Sequence, residues 1–171
     1  MRIELDQDLC KRFPELFVLR NSDPSESPMC WGFDCGDGWY NIVNQLCKLI
    51  QGHLKHREEG IAWAVEFNKN LAVAQANNWE GWQEGWSKKP RKVPNSIDPV
   101  VVTQVKEKYG TLRFYHNGGD QFISGVVSMA EAMSAVTCET CGNPGKTHSG
   151  PWIRTLCDEH AAKKNGQDTS I

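Results

Sequence analysis

Four residues near the carboxy terminus have the types and spacing of a metal site. Cys138-Glu139-Thr140-Cys141-Gly142 is followed by Cys157-Asp158-Glu159-His160, and fifteen residues separate Cys141 from Cys157. A C-x-x-C-G turn aims two sulfurs at one point, and its glycine relieves the backbone. Cys157 and His160 are three apart, so on the first turn of a helix they share a face. Three thiolates and an imidazole complete a tetrahedron and leave no position for water. The expected cofactor is therefore a structural Zn2+ rather than a catalytic one. His148 is the rival fourth ligand, but its neighbours read as a hairpin tip. A knuckle, a strand over residues 152–156 and a helix bearing the second pair predict a treble-clef or zinc-ribbon-like module.

A second constellation is basic. In residues 100–116 the β-branched run and central Tyr109-Gly110 predict a β-hairpin with its turn there. That register pairs Lys108 with Thr111, Lys106 with Arg113, Val105 with Phe114 and Gln104 with Tyr115. Val101, Val105, Leu112 and Phe114 then form a core face. Gln104, Lys106, Lys108, Arg113 and Tyr115 form the other. Lys106 opposite Arg113 is a like-charge pair, which destabilises a sheet unless an anion, internal or external, lies between them. Lys106, Lys108, Arg113 and Tyr115 are accordingly candidate ligand-binding residues, with Asp34 and Asp37 closing the pocket.

Other candidates carry weaker chemistry. Cys35 precedes a helix, where a thiolate is stabilised, but Cys-Gly-Asp-Gly-Trp only faintly matches a protease nucleophile signature, and its nucleophile position is Gly38. Cys10, Cys30, Cys35 and Cys47 lack knuckle spacing and read as small buried hydrophobes. Asp37 is also a candidate helix cap. Asn117-Gly118-Gly119-Asp120 reads as a turn. Trp79, Trp82 and Trp86, beside Lys88-Lys89-Pro90-Arg91-Lys92, are either core or oligomer contact, or a stacking surface for nucleic acid. Nothing in the chain matches a metalloprotease, hydrolase-elbow, Walker or Rossmann motif.

The elements that must position these residues follow from periodicity. A short helix spans Asp6–Phe13. A helix from about Trp39 to about Arg57 carries Trp39, Ile42, Val43, Leu46, Ile50 and Leu54 on one stripe, with Gly60 ending it. Residues 61–79 predict a second helix and residues 121–136 another, weakened by Gly125. The tail after residue 160 starts helical and then frays. The fold class is α+β: a helical layer, a small antiparallel sheet and a carboxy-terminal zinc module. The expected domains are residues 1–136, with 60–95 as an insertion, and 137–171.

The 171 residues are 39% hydrophobic and 23% charged, with net charge −2, so a chain-wide nucleic-acid field is excluded. No apolar run reaches membrane length. Seven cysteines without a signal-like start point to a reducing, cytoplasmic setting.

Cys-Gly-Asp-Gly-Trp, then Val-Lys-Glu-Lys-Tyr-Gly-Thr-Leu-Arg-Phe-Tyr, then Cys-Glu-Thr-Cys-Gly and Leu-Cys-Asp-Glu-His together resemble small accessory proteins of tailed bacteriophages and prophages. The similarity covers residues 29–39 and 101–160. It implies a host bacterial cytoplasm and targets among host proteins, nucleic acids or immune signals. The function expected is non-enzymatic counter-defence, sequestering an anionic nucleotide-derived ligand. The alternatives are a zinc-containing nucleic-acid-binding accessory protein and an inhibitor of a host defence protein. A homo-oligomer is compatible with the Trp cluster, and no membrane partner is expected.

Overall fold

The computed structural model describes residues 1–167. The chain divides into two compact units, residues 1–50 with 98 onward, and residues 51–97.

In the first unit, α1 (Ile3–Arg12) buries Leu9, and Phe13 is buried at its carboxy-terminal cap. Asp6 is buried on the same helix. Its carboxylate accepts from Arg20 Nε at 3.0 Å and from the Phe33 amide at 3.1 Å. Arg20 also donates to the Cys30 carbonyl at 2.7 Å. A buried carboxylate is tolerated because each oxygen has a donor. These bonds anchor β1 (Phe33–Asp34), which runs parallel to β2 (Val101–Lys108); β2 is antiparallel to β3 (Thr111–Asn117), giving the order β1-β2-β3.

Tyr109 and Gly110 both have positive φ, 54° and 78°, as a type I′ turn requires. The observed partners are Lys108 with Thr111, Lys106 with Arg113, Val105 with Phe114 and Gln104 with Tyr115. A register shift between Val102 and Gln104 then reverses the side-chain alternation. Val102 is therefore fully buried, and Val101, expected in the core, is only half-buried.

The outer edge of β3 is covered by α3 (Gln121–Ser134), which Asp120 caps by accepting from the Ile123 amide at 3.2 Å. Ser134 Oγ takes the Leu112 amide at 2.8 Å and Glu131 takes the Phe114 amide at 3.1 Å. These side chains satisfy edge donors that would otherwise template another strand. Asn117–Asp120 is a plain turn, with the Gly119 amide donating to the Asp98 carbonyl at 2.9 Å.

The stripe of Trp39, Ile42, Val43, Leu46 and Ile50 is buried as expected, while Leu54 is half-buried. Gly60 does not end the helix: α2 runs unbroken over Tyr40–Ala76. One glycine costs only about 1 kcal/mol against alanine, and no proline follows to enforce a stop. The helix instead ends where Asn78 and Trp79 turn left-handed, at φ 53° and 67°.

The second unit contains the later turns of α2 and the returning segment. Its rings form a chain of tilted and edge contacts: Trp63–Phe67, Phe67–Trp82, Trp79–Trp82 and Trp82–Trp86, with centroids 5.3 to 6.1 Å apart. Arg91 lies over Trp63 and Phe67, and Lys88 over Trp79. Asn68 clamps Arg91 by donating to its carbonyl and accepting its amide.

The Cys/His region comprises the loop after α3, β4 (Lys146–His148), β5 (Arg154–Leu156) and α4 (Asp158–Gln167). By contact this region groups with the first unit. Tail residues expected to fray after α4 lie outside the described residues. Among the described residues, no helix is long and apolar enough to cross a membrane.

Candidate functional site

The Cys138, Cys141, Cys157 and His160 side chains converge. One ligand atom from each lies within 4.8 Å of all the others, an arrangement that could hold a metal ion. The Cys141 and Cys157 sulfurs are 3.8 Å apart. His160 presents Nδ1, 3.7 Å from the Cys138 sulfur and 3.2 Å from that of Cys157. Burial would raise the Cys138 thiol, but amides of Cys157, Cys141 and Thr140 outweigh it and bring it down to about 6. His148 lies outside the set and directs Nε2 at the Leu156 carbonyl, 3.3 Å away.

The knuckle sits on a seat made by the Cys35–Trp39 loop. The Gly38 amide donates to the Glu139 carbonyl at 2.8 Å. Trp39, fully buried, donates from Nε1 to the Thr137 carbonyl at 2.8 Å. A Cβ on Gly36 would overlap the Glu139 backbone, and one on Gly38 would stand 2.5 Å from the Gly142 nitrogen. Only glycine permits backbones to approach this closely. The hairpin tip completes the seat, because Thr155 Oγ1 donates to the Gly110 carbonyl at 2.6 Å. The three motifs that stand far apart in sequence therefore make one interlocked centre. Two signals could have found it: paired glycines before a buried Trp, and a Glu inside the knuckle. Glu139 is buried, taking the Gly36 amide at 3.0 Å and Arg154 at 3.2 Å.

Beside this centre lie two clefts. One, of about 440 Å³, runs between the hairpin tip and the loop joining β4 to β5, and is lined by Lys106, Lys108, Tyr109 and Trp152. The other, of about 640 Å³, is lined by Asp34, Glu107, Glu139, Trp152 and Arg154. Tyr109 and Trp152 are 70% and 67% exposed, although neither was singled out from sequence.

The candidate ligand residues are thus divided. Lys106 and Lys108 line the first cleft, and Asp34 the second. Arg113 turns inward: its guanidinium donates to Thr111 Oγ1 and the Leu112 carbonyl, each at 2.7 Å, and faces Glu131 at 3.9 Å. The Lys106 ammonium lies 5.6 Å from the centroid of the Tyr115 ring. Asp37 neither caps α2 nor faces a cleft; it pairs with the Arg2 amide and guanidinium.

Cys10, Cys35 and Cys47 do not have the environment of reactive thiols. Burial pushes the Cys35 thiol up to about 12 and that of Cys10 to about 11. Cys47 is fully buried and shifted the same way. A protonated buried thiol is a poor nucleophile.

Comparison with family models, curated proteins and solved structures returned no match to this chain. The site therefore stands on its own geometry. It is an α+β scaffold whose Cys/His cluster is compatible with a metal and adjoins an open, aromatic-walled cleft.

Proposed function

We propose that this chain is a non-enzymatic, zinc-stapled binding protein that sequesters an anionic nucleotide-derived ligand in the cleft between hairpin tip and β4–β5 loop. The carrying observation is the cleft's lining: two lysines beside two exposed aromatic rings, with the one carboxylate there, Glu107, taken up by the Gly110 amide. Rings stack bases and ammonium groups hold phosphates. The volume of about 440 Å³ suits a small-molecule site.

The zinc reading rests on donor chemistry and distance. Tetrahedral bonds of about 2.3 Å place two thiolates roughly 3.8 Å apart. Cys141 and Cys157 have that separation. Four protein donors leave no open position, so the ion would staple the fold, with Cys138, Cys141, Cys157 and His160 as its ligands in a treble-clef-like module. The non-enzymatic reading rests on the absence of a nucleophile–base pair beside either cleft among the described residues. The resemblance to phage accessory proteins adds the setting, counter-defence in an infected bacterium, where the ligand would be a host signal.

Thermal melting with a panel of nucleotides tests the reading. We expect a raised melting temperature with one nucleotide class and recovery of that nucleotide unchanged after denaturation. Recovery of a converted product makes the protein an enzyme, and no shift with any nucleotide rejects the cleft as a nucleotide site.

A further inference from the structure

We propose that the two clefts form one guanine-nucleotide site, in which Asp34 reads the base and Lys106 and Lys108 hold the phosphates; this rests on the nucleotide reading above. The clefts adjoin, because Glu107 and Trp152 line both. Their linings differ in charge balance. Lys106 and Lys108 outnumber the shared Glu107 in one, while Asp34, Glu107 and Glu139 put three carboxylates in the other, against Arg154 and the Met1 ammonium.

Two of those carboxylates are occupied. Glu107 accepts the Gly110 amide at 2.5 Å, and Glu139 accepts Gly36 and Arg154. Asp34 is exposed, and no hydrogen bond or ion pair holds it among the described residues. An ionised carboxylate only accepts, and it accepts best from two parallel donors. Guanine offers that pair, its ring N–H beside its exocyclic amine. Adenine offers one donor beside an acceptor, which would face the carboxylate with like partial charge.

Strand pairing sets the span. Asp34 is in register with Lys106, and Lys108 stands two residues further along β2. That is about 6.6 Å of strand, to which the lysine adds its own reach. Trp152, on the shared wall, is placed to pack against the base between the two ends.

Calorimetry on the metal-loaded full chain with GDP, ADP and UDP tests this, since only the base differs. GDP should bind about tenfold or more tightly than ADP, as expected for a charge-assisted hydrogen-bond pair. Asp34→Asn should abolish or reverse that preference, because it weakens GDP while its amide donor relieves the repulsion of adenine, and the melting temperature of the free protein should hold. Lys108→Gln should weaken all three alike. Equal binding of GDP and ADP, or a guanine preference that survives in Asp34→Asn, overturns the assignment yet leaves the nucleotide cleft standing. Binding of none of the three removes both readings.

Discussion

The two compact units use opposite means to hold loops in place. In the first, backbone meets backbone: Gly36 and Gly38 lie against the Cys138–Gly142 knuckle, and Gly110 against β5. In the second, side chain meets side chain: five aromatic rings cluster around Trp82, and Arg91 and Lys88 cover three of their faces. Backbone docking permits no added atom, so its tolerance for substitution is low. Three of the four ring contacts meet at Trp82, so losing any other ring leaves most of the cluster in place. The lesson is that invariance of residue type is expected where Cβ atoms have no room, and not merely where side chains are large.

The Cys/His cluster gives the largest expected contrast. Cys141→Ser removes a ligand from a set whose zinc would contribute on the order of 10 kcal/mol to folding. We expect loss of bound zinc by elemental analysis and loss of amide protection in the knuckle, in β4–β5 and in the Cys35–Trp39 seat. Protection in residues 51–97 should persist. Zinc-free protein with the seat still protected would show that the glycine docking needs no metal. Acid should release the metal similarly, because His160 and the thiolates must be deprotonated to bind.

Gly38→Ala comes next. Its new methyl group would face the Cys138 carbonyl and the Gly142 nitrogen, both backbone atoms that cannot rotate away. The expected loss is about 4 kcal/mol or more, the range reserved for strain or disrupted packing at special positions. Denaturant melts should show it, together with weakened zinc retention. A near-native midpoint would mean that the knuckle can slide on its seat.

A pair of tryptophans sharpens the comparison at the level of side chains. Trp39→Ala removes a fully buried indole and its bond to Thr137, for about 3–5 kcal/mol. Trp82→Ala removes three ring contacts from a half-buried position, at about 0.5–1.5 kcal/mol for each contact beyond area burial. Its effect should be confined to amide exchange in residues 51–97. Equal global destabilisation by both would mean that the two units unfold together.

Local geometry was legible in the sequence, and docking was not. The Tyr109-Gly110 turn fixed the hairpin pairing from Lys108 to Gln104, because a two-residue loop leaves one register. The ligand set followed from i,i+3 spacing. The shift between Val102 and Gln104 had no local signal, so the core face was displaced by one residue, from Val101 to Val102. Asp37 was weighed as a cap or a ligand, but its partner is Arg2, 35 residues away. Glu139, to which the knuckle motif assigns no role, ties the knuckle to Gly36, 103 residues distant. Such pairings depend on which segments meet, which periodicity does not encode.

The smallest effect expected is Gly60→Ala, and its sign is the point. Gly60 was read as a helix stop, yet it lies within α2 with no atom within 4 Å of the Cβ it lacks. Nothing there requires a glycine: its φ is not positive and no backbone approaches. Alanine would narrow the unfolded ensemble and favour helix, a gain of about 0.8–1 kcal/mol. A small rise in melting temperature should follow, with zinc content unaltered. Gly38 and Gly60 thus receive the same added methyl group with opposite outcomes, one by collision and one by entropy. If Gly60→Ala instead destabilises, α2 bends there in solution, and the glycine serves as a hinge between its two halves.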